Sequence, residues 1–326
     1  MKIRNYIASL ILAIAPFIVT ETSYSQILFT DNFDLNTAGN YTVNQDPDAD
    51  ILFTYDYSTV GIPSAPNSIG GTTLGVRFRA NLDATTGAQA INISPTGGSF
   101  TGNYRMRFDV WINANGPFPA GGAGSTQFGT AGVGTLGTSV QKSSVPADGA
   151  WFAVDGEGQS GIDYRAYRAA SLEGPTSIAY AATDSGAINR RSADNPYYHT
   201  AFPGGQQAPA AQQAAFPASA DPANNQEGAL KAGTVGFGWR QVEITKVGND
   251  VTWTIDGLTI ATLTGATLAG NNIFVGHWDV FASTTANPAM NFSIVDNWRV
   301  DVIPEPSTWL LGILGVTAVF CLRRRK

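Results

Sequence analysis

The chain has 326 residues and a formal net charge of −6; setting aside the six basic and two acidic residues of its ends leaves a body, 26–303, that carries about −10. Such an acidic surface repels nucleic acid and anionic lipid, which excludes nucleic acid as a partner. The single cysteine, Cys321, lies in an apolar C-terminal run, so the body has no disulfide, no thiolate metal site and no thiol nucleophile.

At the N-terminus, Lys2 and Arg4 precede an apolar run from Ile7 to Val19, and Ser23-Tyr24-Ser25 supplies small residues before Gln26. This is the pattern of a secretory signal peptide over residues 1–25, cut after Ser25, and it makes a secretion translocase the first partner. The body that follows has few charges, many glycines and plentiful Thr, Asn and Ser, a composition that predicts one all-β domain of short strands and tight turns.

Strands are predicted at Ile27–Phe29 and Ile51–Tyr55. Between them, Asp46, Asp48 and Asp50 stand at the alternate positions that open an EF-hand loop. Ile51 then replaces the turn glycine and Tyr57 the bidentate glutamate, so these acids are either ligands of a sandwich-type calcium site or solvated turn acids. Leu74–Ala80 alternates Leu74, Val76 and Phe78 inward with Arg77 and Arg79 outward, and Ala90–Ile93 follows. Asn103–Asn113 gives the longest alternation, with Tyr104, Met106, Phe108, Val110 and Ile112 on one face. Trp111 falls on its polar face with Arg107 and Asp109, where it is either covered by a loop or exposed to stack on a sugar ring.

Gly121–Gly137 is glycine-rich and predicts turns at a sandwich edge; its Gly132-x-Gly134-x-x-Gly137 spacing introduces no helix and is not a dinucleotide site. Beyond the strand at Trp151–Val154, Asp155-Gly156-Glu157-Gly158 and Asp163 form a second acidic loop before Tyr164–Tyr167. It is a calcium or glycan candidate, with a plain inter-strand turn as the alternative. Ala201–Gly228 is rich in Ala, Gln and Pro and predicts a long surface loop, because low-complexity polar sequence buries too little apolar area to offset its ordering entropy. Strands resume at Gly236–Ile244, then Val251–Ile255 and Leu258–Leu263 as a hairpin about Asp256-Gly257, then Ile273–Val275 and Asn291–Val302. His199 and His277 lie near no catalytic pattern and are read as packing or surface residues.

The last residues, 302–326, have three parts: Pro304-Glu305-Pro306, an uncharged run of 14 residues from Trp309 to Leu322, and Arg323-Arg324-Arg325-Lys326. The basic end is a stop that stays cytoplasmic. At ~1.5 Å per residue the run reaches only about 21 Å, short of the ~30 Å hydrocarbon core, which favours a transient anchor. This tail resembles the PEP-CTERM sorting signal of Gram-negative bacteria. The resemblance implies recognition and removal of residues 304–326 by an exosortase-type membrane enzyme. It also implies export through the inner membrane to the cell surface or an extracellular matrix.

Asp31-Asn32-Phe33-Asp34 and Val295-Asp296-Asn297-Trp298-Arg299-Val300 resemble the opening and closing strands of laminin-G-like, concanavalin-A-like jelly rolls. This implies a two-sheet β-sandwich whose first and last strands are antiparallel neighbours. Two functions fit the whole: a non-catalytic surface domain that binds glycan or protein, or a secreted glycan-active enzyme using Asp155, Glu157 and Asp163. The first is favoured, since no carboxylate pair has a glycosidase spacing in the sequence. No cofactor other than calcium is implied.

Overall fold

A computed structural model describes residues 26–82, 87–122, 124–143, 147–221, 225–282 and 284–304. The signal peptide with Ser25, and the tail from Glu305 to Lys326, lie outside the described residues. Among the described residues no helix is long and apolar enough to cross a membrane.

Two antiparallel sheets pack face to face. The first runs Leu258–Leu263 (β13), Asp250–Ile255 (β12), Arg240–Val247 (β11), Tyr104–Asn113 (β6), Phe292–Val302 (β15), Leu74–Ala80 (β4) and Ala49–Asp56 (β3). Ile27–Asp31 (β1) pairs with the C-terminal half of β15, beyond the stretch bound to β4. The second sheet runs Ser171–Leu172 (β10), Tyr164–Arg168 (β9), Ala150–Asp155 (β8), Gln127–Thr135 (β7), Asn272–Asp279 (β14), Gln89–Pro95 (β5) and Tyr41–Gln45 (β2). The all-β sandwich expected from the composition is the observed fold. Its ends close as expected too, with Ile27 opposite Asp301 and Asp31 opposite Trp298.

Alternation dictates the core between the sheets. Tyr104, Met106, Phe108, Val110 and Ile112 of β6 all point into it, as do Val251, Trp253 and Ile255 of β12. Trp298 is fully buried, stacked on Tyr41 at 5.9 Å with Phe29 edge-on at 5.1 Å. The acidic start of the body serves this packing: Asp31 accepts from the Phe33 amide and the Tyr41 hydroxyl. Asp256 and Gly257 both take positive φ, the turn that matches strand twist in the β12–β13 hairpin.

One expectation is corrected and another is refined. The glycine-rich stretch is not an edge turn, because it contains β7, a central strand bound to β8 and β14. Glycine is needed there for space. A Cβ on Gly132 would stand 2.4 Å from the Trp151 Cβ and 2.5 Å from the Phe274 ring. The stretch after Ala201 is a surface segment, as expected, but an anchored one. Short helices, Pro196–His199 (α1) and Ala210–Ala215 (α2), bracket a segment whose Phe202 is fully buried, and glutamine side chains anchor the rest. Gln212 exchanges hydrogen bonds with Asn113 and donates to Val60 O, while Gln226 donates to Ala114 O and accepts from the Gly116 amide. Paired in this way, polar residues become buried cover.

Candidate functional site

The predicted site residues go to different places. Asp46 accepts from the Ala90 amide at 2.7 Å and from the Lys142 ammonium at 2.6 Å. Asp50 lies in β3 of the first sheet, where Arg79 directly opposite on β4 grips it from Nε at 2.9 Å with Arg77 further off at 3.8 Å. Burial works against ionisation of Asp50, but the Arg79 guanidinium outweighs it and holds the carboxyl below its usual range. Asp48 lies between them, buried in the turn, with its amide on Gln89. The alternate spacing therefore does not converge on a cation: side-chain cations already occupy Asp46 and Asp50.

Trp111 is also corrected as a sugar-stacking residue. It is 4 % exposed, donates from Nε1 to Asn113 Oδ1 at 3.1 Å, and meets Trp239 edge-on at 5.9 Å. The segment that composition assigns to a surface loop covers it, through Ala208 and the Gln212–Asn113 pair.

Asp155, Glu157 and Asp163 do come together, but inside the protein, each at 0–1 % exposure. Asp155 accepts from the Glu157 amide, and Asp163 accepts from Ser160 and from the Ala193 amide. Glu157 lies against Gly121, where a Cβ would stand only 2.4 Å from its Oε2, with Ser125 as the side-chain donor that opposes its burial. Burial, then the neighbouring charge of Asp163, pushes Asp155 up to about 8; burial and Asp155 raise Glu157, and burial raises Asp163. The trio is sealed from solvent, so a substrate cannot reach it. Among the described residues no group of three His, Cys, Asp or Glu side chains is placed to hold a metal ion.

The open site lies elsewhere, on the outer face of the first sheet. A cleft of about 250 Å³ is lined by Thr30, Asn67, Arg107, Gln241, Asn297 and Arg299 among others. Behind two of its lining amides, Asn67 and Asn297, lies a buried carboxylate pair that no spacing in the sequence marks as a site. Asp109 of β6 and Asp296 of β15 stand directly opposite each other across the ladder, at 0 and 1 % exposure. Directly opposed side chains have Cβ atoms ~5 Å apart, so two ionised carboxylates here repel.

Amides and hydroxyls hold the pair. Asp109 accepts from the Asn67 backbone and side-chain amides at 3.1 and 2.8 Å and from Asn297 Nδ2 at 2.9 Å. Asp296 accepts from Ser68 Oγ at 2.9 Å, from the Tyr57 hydroxyl at 3.1 Å and from the Asn297 amide at 2.7 Å. Burial raises both carboxyls; at Asp296 these donors oppose it and the charge of Asp109 adds to it, leaving about 7. A β-bulge between Asp296 and Arg299 aims Asn297 at this junction, with φ at +54°. A non-glycine residue held there stores strain of the kind that collects at functional sites.

Asn67 and Asn297 spend their N–H groups on Asp109 and Ser68, which leaves amide oxygens as acceptors. Arg107 and Arg299 both hold Asp301, at 2.5 and 2.7 Å, so their planar forks are fixed beside the cleft and share one carboxylate between them. The result is a rigid set of donors and acceptors. It suits a neutral polyol. The carboxylates sit behind the amides and organise them.

Residues 302–326 match the family model described as the PEP-CTERM protein-sorting motif. The C-terminal segment is a PEP-CTERM sorting motif. Such a motif implies export and cell-surface sorting; Pro304 is exposed at the end of the described sheet. No curated protein matches the chain. Among solved structures, it is similar to a Bacillus subtilis protein of unknown function with a galectin-like fold, at 8% identity and a TM-score of 0.40, over 85% of this chain and 98% of that one. A Bacillus licheniformis beta-glucanase is similar at 10% identity and a TM-score of 0.38, over 87% of this chain and 100% of that one. The Emp46p carbohydrate recognition domain is similar at 7% identity and 0.40, over 83% and 95%.

Proposed function

We propose that this chain is secreted by the translocase, held briefly in the inner membrane by its PEP-CTERM tail, and cut there by an exosortase-type enzyme. It is then delivered to the cell surface or extracellular matrix, where its sandwich is a non-catalytic domain that binds polysaccharide. The observation that supports binding is the polar cleft over Asp109 and Asp296, with planar amides and guanidinia fixed before any ligand arrives. Preorganised donors lose little entropy on binding. Burial of both carboxylates supports binding over hydrolysis, since a general acid must reach the glycosidic oxygen.

A glycan array probed with residues 26–303 tests this reading. Retention of a neutral polysaccharide is expected, weakened about tenfold in Gln241→Ala and Thr30→Ala, since each removes a contact worth on the order of 1 kcal/mol or more. Retention of nothing by the folded protein would end the proposal, and release of new reducing ends would replace it with an enzyme. Calcium is not needed: Lys142 and Arg79 already serve the acids nearest to a calcium spacing. Millimolar calcium is therefore expected to leave the melting temperature unchanged, whereas a ligand of the folded state alone raises it.

A further inference from the structure

Both ends of the body leave the sandwich at the same pole. Val302 donates to Gln26 O at 2.8 Å and Ile303 donates to Asn103 O at 3.0 Å, so the sheet holds the chain up to the residue before the sorting motif. Only residues 304–308 then separate it from the apolar run that begins at Trp309. Five residues span at most about 17 Å. An apolar run shorter than the bilayer draws its flanking residues inward, which shortens that reach further.

This pole carries exposed apolar side chains. Ile27 and Leu28 of β1 are 49 and 38 % exposed, and Val247 at the end of β11 is 48 % exposed. Val247 precedes Gly248, whose amide bonds the side chain of Asn103, the residue that also holds Ile303. On the second sheet Leu136, 57 % exposed, follows β7 at the end paired with Asn272. Asn271 in turn binds the Phe100 amide, and the Phe100 ring lies 6.2 Å from that of Tyr104 at the start of β6.

Resting on the tail reading above, we propose that this pole is a membrane-contact surface, and that Ile27, Leu28, Leu136 and Val247 rest in the headgroup layer of the outer leaflet until the tail is cut. The tether enforces the contact. An acidic body gains nothing from anionic lipid, so the contact is apolar and shallow. Removal of the tail frees the same pole.

The test uses residues 26–326 with Cys321→Ser, reconstituted in phosphatidylcholine vesicles that carry a headgroup-level quencher. A fluorophore is placed at Leu28→Cys, Val247→Cys or Phe281→Cys; Phe281 is exposed near the other pole, about 30 Å away along a ten-residue strand. Several-fold stronger quenching at 28 and 247 than at 281 is expected, and none with residues 26–303 alone. Flotation with the vesicles but equal quenching at all three positions overturns the contact and leaves the tail reading intact. A full-length chain that does not float with vesicles overturns both.

Discussion

Raising the pH from 5.5 to 8.5 is expected to lower the melting temperature of residues 26–303 by on the order of 10 °C. The cause is a set of carboxyls folded into places that favour their neutral form. Unfolded, they titrate near ~4. Folded, burial moves Asp279 and Asp296 up to about 7 and Asp155 up to about 8, and raises Glu157 and Asp163. Over that window the native state holds more protons than the unfolded one, so stability is complete below ~4 and falls as pH climbs through 7 to 8. Each tenfold gain in proton affinity on folding is worth about 1.4 kcal/mol, and after relaxation of the buried sites ~3–5 kcal/mol in total is at stake.

His277 acts at the other end of the range. Burial holds its pKa down to about 3, between Ser293 and Gln127, so the unfolded chain gains a proton below 6.5 that the folded one does not. That contribution is lost as pH falls below about 6.5, but one imidazole does not outweigh several carboxyls, so the optimum lies near pH ~4, where the unfolded carboxyls themselves begin to protonate. Glu157→Gln isolates the acidic part: it keeps the shape against Gly121, so the variant should melt several degrees higher at pH 8 and unchanged at pH 5. A melting temperature that is flat across the range, or a variant weaker at pH 8, would show that the trio ionises in the fold.

Replacing Pro304-Glu305-Pro306 with alanines is expected to stop C-terminal processing almost completely while export continues, so that full-length protein accumulates in the inner membrane. Each proline fixes its own φ and biases the residue before it, Ile303 or Glu305, towards extended backbone. Ile303 is bonded to the sheet and Pro304 is exposed, so the motif follows directly on the last strand, and its prolines favour an extended, accessible segment. Alanines allow a helix to start at the sheet edge and withdraw it. Deleting Arg323–Lys326 should instead weaken retention, because those cations stop the run on the cytoplasmic side. Mass spectrometry of surface material decides: an intact end at Lys326 in the unmodified protein would make the tail a permanent anchor.

Much of the architecture is legible in the sequence because alternation is a local signal. It places β4 and β6 with the correct inward faces and locates the β12–β13 hairpin, and the motifs at the two ends pair the terminal strands. β7 is not legible, since the alternation there is carried by glycines whose role is to make room for Trp151 and Phe274, residues distant in sequence. The glutamine-rich cover is hidden for a similar reason: Gln212 and Gln226 have burial partners only once Asn113 and Ala114 are beside them. The acidic trio is visible as a cluster, but its spacing gives no hint that it is sealed. Asp109 and Asp296 are far apart in the chain and meet through strand register; the Asp296-Asn297 step and an acid on the outer face of the longest alternating strand are the only traces.

The pairing of β1 with β15 joins nearly the first and last residues of the body. A contact of such long range forms late, because the entropy of closing the whole chain must be met before the pairing gives anything back. On the proposed secretion route the chain crosses the translocase N-terminus first. Trp298 therefore cannot seat on Tyr41, and the sandwich cannot close, until the last strand has crossed. The segment in the channel at that moment is the sorting tail. Completion of the fold and arrival of the membrane segment are thus fixed to the same instant of synthesis, and a chain that stalls earlier leaves its aromatic core open to periplasmic proteases.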